Sequence, residues 1–220
     1  MKAAVLVVMA RQPRPGTVKT RLARRVGAAL ACALYRAFLA DISARLAPPP
    51  GAPAWRLLWA VTPADADLRP IVGAGAAQVV QRGDDLAARM RHVVADLFAG
   101  GAARLVMIGA DAPHLDPATV TAAFAALDAA DVVLTPTRDG GYCLIGLRAP
   151  HDLFSGVAMG TPAVLAQTRA GAAAAGLRVT LLPETFDVDE WEDLLALRAL
   201  IETGKVSLPH TAAALAAVCG

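Results

Sequence analysis

Apolar runs of strand length recur along the chain at Ala3–Ala10, Leu57–Val61, Gln78–Gln81, Leu105–Gly109, Val132–Thr135, Cys143–Leu147 and Val179–Leu182, each bounded by turn-forming residues. Stretches of helix length separate most of them: Val18–Leu46, Asp65–Val72, Leu86–Phe98, Pro117–Ala129, Pro162–Ala175 and Glu190–Glu202. The order β-α-β-α-β-α-β-α-β-β-α-β-α predicts an α/β fold, a mainly parallel sheet with helices on both faces. Ligands of such sheets collect outside the carboxyl ends of the strands. The fifth and sixth strands follow one another directly across Asp139-Gly140-Gly141, a tight-turn signal that predicts one antiparallel pairing or a local rearrangement there. Pro48-Pro49-Pro50-Gly51 reads as a loop inside one domain spanning residues 1–220 rather than as a boundary.

Composition narrows the picture. Apolar residues make up 56% of the chain and aromatics only 5%, so the core is expected to rest on Ala, Val and Leu in closely packed helices on a sheet. Three cysteines, Cys32, Cys143 and Cys219, lie far apart without Cys-x-x-Cys spacing, which supports neither a disulfide framework nor a zinc site and favours a reducing cytoplasm. The apolar start is followed by Arg11-Gln12-Pro13-Arg14 rather than a small-residue cleavage site, and it reads as a buried strand. No apolar stretch approaches the roughly 20 residues that span a bilayer. The net charge of +2 is too small for a nucleic-acid footprint. Six basic residues nevertheless crowd between Arg11 and Arg25, the mark of a local anion site.

That cluster lies in Met9-Ala10-Arg11-Gln12-Pro13-Arg14-Pro15-Gly16-Thr17-Val18-Lys19-Thr20-Arg21-Leu22, a Pro/Gly loop leading from the first strand into the first helix. Backbone N–H groups at a helix start, with Arg11, Lys19 and Arg21 beside them, suit a phosphate. The spacing is not that of a Walker A loop. The plain alternative is a helix capped by Thr17 with solvated basic residues.

Asp111, in Gly109-Ala110-Asp111-Ala112-Pro113, leaves a strand at its carboxyl end, where a carboxylate can hold Mg²⁺ or Mn²⁺ against a diphosphate. Asp116, ahead of Pro117, reads instead as a helix N-cap. Asp187-Val188-Asp189 follows the last strand; alternation sends its carboxylates to opposite faces unless the chain bends. Asp189 with Glu192 also fits a capping box. Asp139-Gly140-Gly141-Tyr142 lets backbone approach a ligand or simply turns a hairpin. In Gly83-Asp84-Asp85-Leu86-Ala87-Ala88-Arg89-Met90, Asp84 or Asp85 caps a helix and Arg89 reaches a nucleotide or covers surface. His92, His114, His151 and His210 are isolated and receive no role.

Together, Pro13 to Leu22, the Gly83–Met90 segment, Ile108-Gly109-Ala110-Asp111-Ala112-Pro113, Asp139 to Leu147, Thr161-Pro162 and Asp187-Val188-Asp189 resemble the glycosyltransferase-A-like family of small nucleotide-diphospho-sugar transferases of the DUF2064 type. Its relatives include the phospholactate guanylyltransferases and, more distantly, the molybdenum-cofactor nucleotidyltransferases. The resemblance covers nearly the whole chain. It implies a Rossmann-like mixed sheet, the nucleotide-diphospho-sugar transferase fold. A nucleotide is then expected over Ala10, Arg11, Gly16, Lys19 and Arg21, with Asp85, Arg89 and Gly109 nearby. Mg²⁺ or Mn²⁺ is expected on Asp111, Asp187 and Asp189, and a small-molecule acceptor at Gly140, Gly141 and Thr161. Lys19, Asp111 and Asp139 are the expected catalytic residues. The reaction implied is glycosyl transfer from a nucleotide-sugar; the alternative is nucleotidyl transfer from an NTP to a phosphorylated acceptor, with pyrophosphate release. No nucleic-acid or membrane partner is expected, and homodimerisation is compatible with a sequence that shows no interface signal.

Overall fold

The computed structural model describes residues 3–48 and 55–219; the loop expected at 48–51 lies largely outside them. Among the described residues seven strands form one sheet: β1 (Ala4–Arg11), β2 (Arg56–Thr62), β3 (Gln78–Val80), β4 (Arg104–Gly109), β5 (Val132–Pro136), β6 (Tyr142–Leu147) and β7 (Val179–Leu181). Their spatial order is β3-β2-β1-β4-β6-β5-β7. All pairings are parallel except those of β6, which runs antiparallel to both β4 and β5. The Asp139-Gly140-Gly141 turn therefore produces the antiparallel hairpin that the adjacent fifth and sixth runs implied. β6 also takes a place between β4 and β5 that the order of runs did not specify.

The helices are α1 (Thr20–Val26), α2 (Ala28–Leu46), α3 (Arg69–Val72), α4 (Leu86–Ala99), α5 (Pro117–Ala126), α6 (Val164–Ala174), α7 (Trp191–Glu202) and α8 (Pro209–Cys219). The β1 side chains alternate between two cores. Leu6, Val8 and Ala10 join buried residues of α1, α2, α5, α7 and α8, whereas Val5 and Val7 join those of α4 and α6. A sheet apolar on both faces thus requires helices on both, and receives them.

Three sequence expectations are corrected. The long helix 18–46 is two helices, broken at Gly27, whose φ of 85° lies outside the helical region. The 65–72 helix shrinks to α3 because Asp67 folds back, accepting from the backbone N–H and Nε of Arg69. α8 was not anticipated. It packs on α2 through Asp41, a fully buried carboxylate that accepts from the N–H groups of His210 and Thr211 and from the Thr211 hydroxyl. No helix among the described residues is long and apolar enough to cross a membrane.

Candidate functional site

Register brings the first two loops together. Met9 on β1 lies opposite Gly109 on β4, so Ala10-Arg11, the last residues of β1, and Ala110-Asp111, the first beyond β4, lie side by side at the carboxyl edge of the sheet. The segment after β7 is tied to the same edge: Thr137 bridges Thr185, and Val188 N–H donates to Asp111 O at 2.8 Å. Val188 is itself fully buried. Anchored at this central residue, the segment carries Asp187 and Asp189 to the Asp111 loop.

Lys19 occupies the middle of the arrangement. Its side chain is 2% exposed, and its Nζ forms ion pairs with Asp111 Oδ1 and, at 3.0 Å, with Asp189 Oδ1. Burial pulls the ammonium pKa down, but Asp111 and then Asp189 outweigh that and leave it above the ordinary lysine value. Lys19, not Thr17, is the N-cap of α1, in the left-handed region with φ 47° and ψ 45°; the Thr17 hydroxyl bonds to Arg14 O instead. Asp189 is likewise not the cap of α7. That position is Glu190, and Asp193 accepts from the N–H groups of Asp189 and Glu190, which leaves the Asp189 carboxylate to Lys19. Two features absent from the sequence reading support the loop. The Tyr35 hydroxyl accepts from Arg11 N–H at 3.1 Å, with its phenol pKa pushed up by burial, and Arg45 donates to Pro113 O at 2.7 Å. A lone Tyr and Arg in an Ala-rich helix carry no motif that would have marked them.

A cavity of about 250 Å³ lies over this pair of loops, lined by Arg11, Lys19, Arg21, Tyr35, Asp111 and Asp189 among others. Arg11 and Arg21 are exposed, and their side chains pair with no carboxylate among the described residues. Two further cavities adjoin it. One, of about 230 Å³, is mostly apolar, with Met9, Leu86, Met90, Gly109, Asp111 and Asp187 in its wall. The other, of about 250 Å³, has Arg21, Arg138, Asp139, Asp187 and Asp189 in its wall. Each of the three carboxylates Asp111, Asp187 and Asp189 therefore separates two cavities.

Asp187 is the most perturbed carboxylate among the described residues: burial, and then the charge of Asp111, push it up to about 7. Among the described residues no three His, Cys, Asp or Glu side chains converge with metal-ligand spacing. Asp111 and Asp189 do converge, on an ammonium. This fits a hard cation that arrives on a nucleotide and needs only one or two protein carboxylates, not a cage built of protein alone.

The remaining expected residues fall into two groups. Asp85 caps α4 through Ala88 N–H and Arg89 donates to Gly83 O, so both serve their own loop in this structure, while Ala10, Gly16 and Gly109 lie at or beside the loops described. On the other flank, Asp139 Oδ1 accepts from the Thr137 hydroxyl at 2.6 Å and from Gly141 N–H at 3.1 Å. Gly140, with φ 86°, is pressed on Pro162, whose carbonyl oxygen would lie 2.2 Å from an added Cβ. Its own carbonyl accepts from Leu165 N–H. The hairpin turn and the Thr161-Pro162 segment are thereby joined, with the Thr161 hydroxyl donating to Ala158 O.

The profile of the family described as an uncharacterized protein conserved in bacteria (DUF2064) matches residues 50–161. No protein of curated function matches the chain in sequence. In structure the chain is similar to a protein of Desulfovibrio desulfuricans G20, provisionally described as a nucleotide-diphospho-sugar transferase. The TM-score is 0.86 at 32% identity, covering 96% of this chain and 94% of that one. It is also similar to a 4-diphosphocytidyl-2C-methyl-D-erythritol synthase of Anaerococcus prevotii DSM 20548, with TM-score 0.59 and 10% identity over 91% of this chain and 99% of that one. A CMP:2-keto-3-deoxy-manno-octonic acid synthetase complexed with CTP matches with TM-score 0.56 and 14% identity over 92% and 99%. The last two likenesses concern the fold alone.

Proposed function

This chain belongs to the DUF2064 family of bacterial proteins, and from that premise we propose that it is a nucleotide-dependent transferase acting on a small-molecule acceptor, with glycosyl transfer from a nucleotide-sugar as the leading reaction. The observation that carries the proposal is the cavity in which Arg11, Lys19 and Arg21 face Asp111 and Asp189 at the carboxyl ends of β1 and β4. The unpaired guanidinium groups of Arg11 and Arg21 beside two carboxylates that converge on Lys19 suit a diphosphate that brings its own cation.

In this reading Arg11 and Arg21 bind the diphosphate oxygens, aided by the N–H groups that open α1. Asp111 with Asp189 or Asp187 holds a Mg²⁺ or Mn²⁺, which supplies charge neutralisation for the leaving diphosphate. Lys19 gives up one or both carboxylates and turns its ammonium to the phosphates. The apolar cavity around Met9, Leu86 and Met90 receives the nucleoside. An acceptor hydroxyl, oriented by Asp139, attacks the anomeric carbon; the bond from that carbon to the diphosphate oxygen breaks, and the hydroxyl proton passes to Asp139 or solvent.

Nucleotidyl transfer is the second reading. It is favoured by two guanidinium groups, those of Arg11 and Arg21, without carboxylate partners over one cavity, a combination suited to a departing pyrophosphate. One experiment addresses both. Purified protein is incubated with Mg²⁺ or Mn²⁺ and panels of NTPs and nucleotide-sugars, with cell extract as acceptor, and nucleoside diphosphate and pyrophosphate are assayed separately. Metal-dependent nucleoside diphosphate release that Asp111→Ala abolishes supports glycosyl transfer. Pyrophosphate release from one NTP replaces it with nucleotidyl transfer. Nucleotide binding whose metal dependence survives Asp111→Ala overturns both.

A further inference from the structure

Arg138 follows β5, and its side chain lines the third cavity but not the loop cavity over Lys19. It is exposed, and its guanidinium forms no ion pair among the described residues, although Asp139, Asp187 and Asp189 share the cavity wall. Aromatic stacking holds it instead. Its guanidinium carbon lies 5.1 Å from the centroid of the Phe186 ring, and Phe186 stacks on His114 at 4.2 Å and 25°. His114 is itself fixed, with Nε2 lying 3.0 Å from the Thr185 hydroxyl. Burial, then Arg45 and Arg138, lower the His114 pKa to about 4, so near neutral pH the stack carries a single charge, that of Arg138. A guanidinium laid on an aromatic face keeps its in-plane N–H donors free, and its orientation is set before a ligand arrives.

The carboxylates of the same cavity are largely engaged. Asp189 pairs with Lys19, Asp193 accepts from two N–H groups of the α7 start, and Asp139 accepts from Thr137 and Gly141. The cavity thus sets an oriented, unpaired guanidinium against carboxylates of which Asp189, Asp193 and Asp139 Oδ1 are engaged, while Asp139 Oδ2 and Asp187 have no partner among the described residues. Building on the transferase reading, we infer that this cavity is the acceptor site and that the acceptor is a small hydroxylated molecule bearing an anionic group, carboxylate or phosphate, which docks on Arg138 with its hydroxyl toward Asp139. Arg138 is then a specificity-determining residue: a neutral polyol of the same size offers that guanidinium only single neutral hydroxyl acceptors, without the charge-assisted bidentate contact of a carboxylate or phosphate. A charge-assisted bidentate contact contributes about 1.5–3 kcal/mol, which corresponds to about tenfold or more in affinity.

The test compares wild type with Arg138→Gln and Arg138→Lys, each saturated with a nucleoside diphosphate and Mg²⁺ to fill the loop cavity. Glycerol 3-phosphate, glycerate and glycerol are titrated in turn and followed by NMR of the probe. The expected result is binding of one or both anionic probes but not glycerol, weakened about tenfold in Arg138→Gln, with nucleoside diphosphate affinity unchanged in both variants. Arg138→Lys recovers only part of the loss. Binding of glycerol 3-phosphate alone assigns the anion as phosphate, and binding of glycerate alone assigns it as carboxylate. Anionic probes that bind no better than glycerol, or that ignore the Arg138 substitutions, overturn the inference. Should the nucleotide itself fail to bind, the transferase reading falls, and the same titration on nucleotide-free protein still decides whether Arg138 holds anions.

Discussion

Lys19 adopts a left-handed backbone conformation, φ 47° and ψ 45°, that costs a residue with a Cβ on the order of 1 kcal/mol. The compensation is its ion pairs with Asp111 and Asp189, whose side chains remain 44% and 42% exposed while its own is almost wholly buried. In the proposed site the ammonium lies between the oxygens that a divalent cation would use, so the two are expected to compete. Lys19→Met should therefore bind Mn²⁺ about tenfold more tightly than wild type without nucleotide, read by the loss of the free-ion electron paramagnetic resonance signal. Equal Mn²⁺ affinity would show that Lys19 does not guard those carboxylates. The same variant should lose about 1–3 kcal/mol of stability, less than for a fully buried pair because solvent reaches both carboxylates.

His114 offers a pH-dependent counterpart. Its folded pKa of about 4 lies below the unfolded value of 6.5, so the unfolded chain binds more protons in that window. Stability from this group is complete above about 6.5 and is lost as pH falls toward 4, by on the order of 3 kcal/mol at about 1.4 kcal/mol per pKa unit. Urea denaturation of His114→Gln from pH 4 to 7 should show a shallower decline than wild type; parallel curves would remove His114 as the cause.

Among the elements, β1, β2, β4 and β5 were legible because parallel strands buried inside a sheet are largely apolar, the half-exposed edge strands β3 and β7 showed only as short runs between turn residues, and the turn at Asp139-Gly140-Gly141 announced the antiparallel hairpin of β5 and β6. Helices were less so. Gly27 inside an Ala-rich stretch looks tolerable until its positive φ is seen, and α8, rich in alanine, offers little amphipathic pattern. What places α8 is remote in sequence, the buried Asp41 capping it from α2. Asp41→Ala should strip three acceptor contacts from the α8 start and cost about 2–3 kcal/mol. A lower urea midpoint at unchanged slope is expected, with nucleotide affinity retained. A midpoint equal to wild type would mean that α8 docks without this cap.

At the scale of the whole molecule, the site is assembled by order in the sheet rather than by sequence proximity: the loops after β1, β4 and β7 meet although they are far apart in the chain. The carboxylates Asp111, Asp187 and Asp189 could be proposed from where their strands end. Tyr35, Arg138, Phe186 and His114 could not, because nothing local distinguishes a ring or guanidinium that acts through a stack or a single remote hydrogen bond. Since one edge of the sheet holds loops from both ends of the chain, ligand binding should stabilise the fold as a whole. A nucleoside diphosphate with Mg²⁺ at about 100 times its Kd adds about 2.7 kcal/mol, a Tm increase of about 5–10 °C for a chain of this length. Asp111→Ala should keep the increment due to nucleotide alone, which the proposed site assigns to Arg11 and Arg21, and lose the further increment due to Mg²⁺. If calorimetry finds the same Mg²⁺ increment in that variant, the carboxylate after β4 does not hold the cation, and the chemistry assigned to this edge would need another centre.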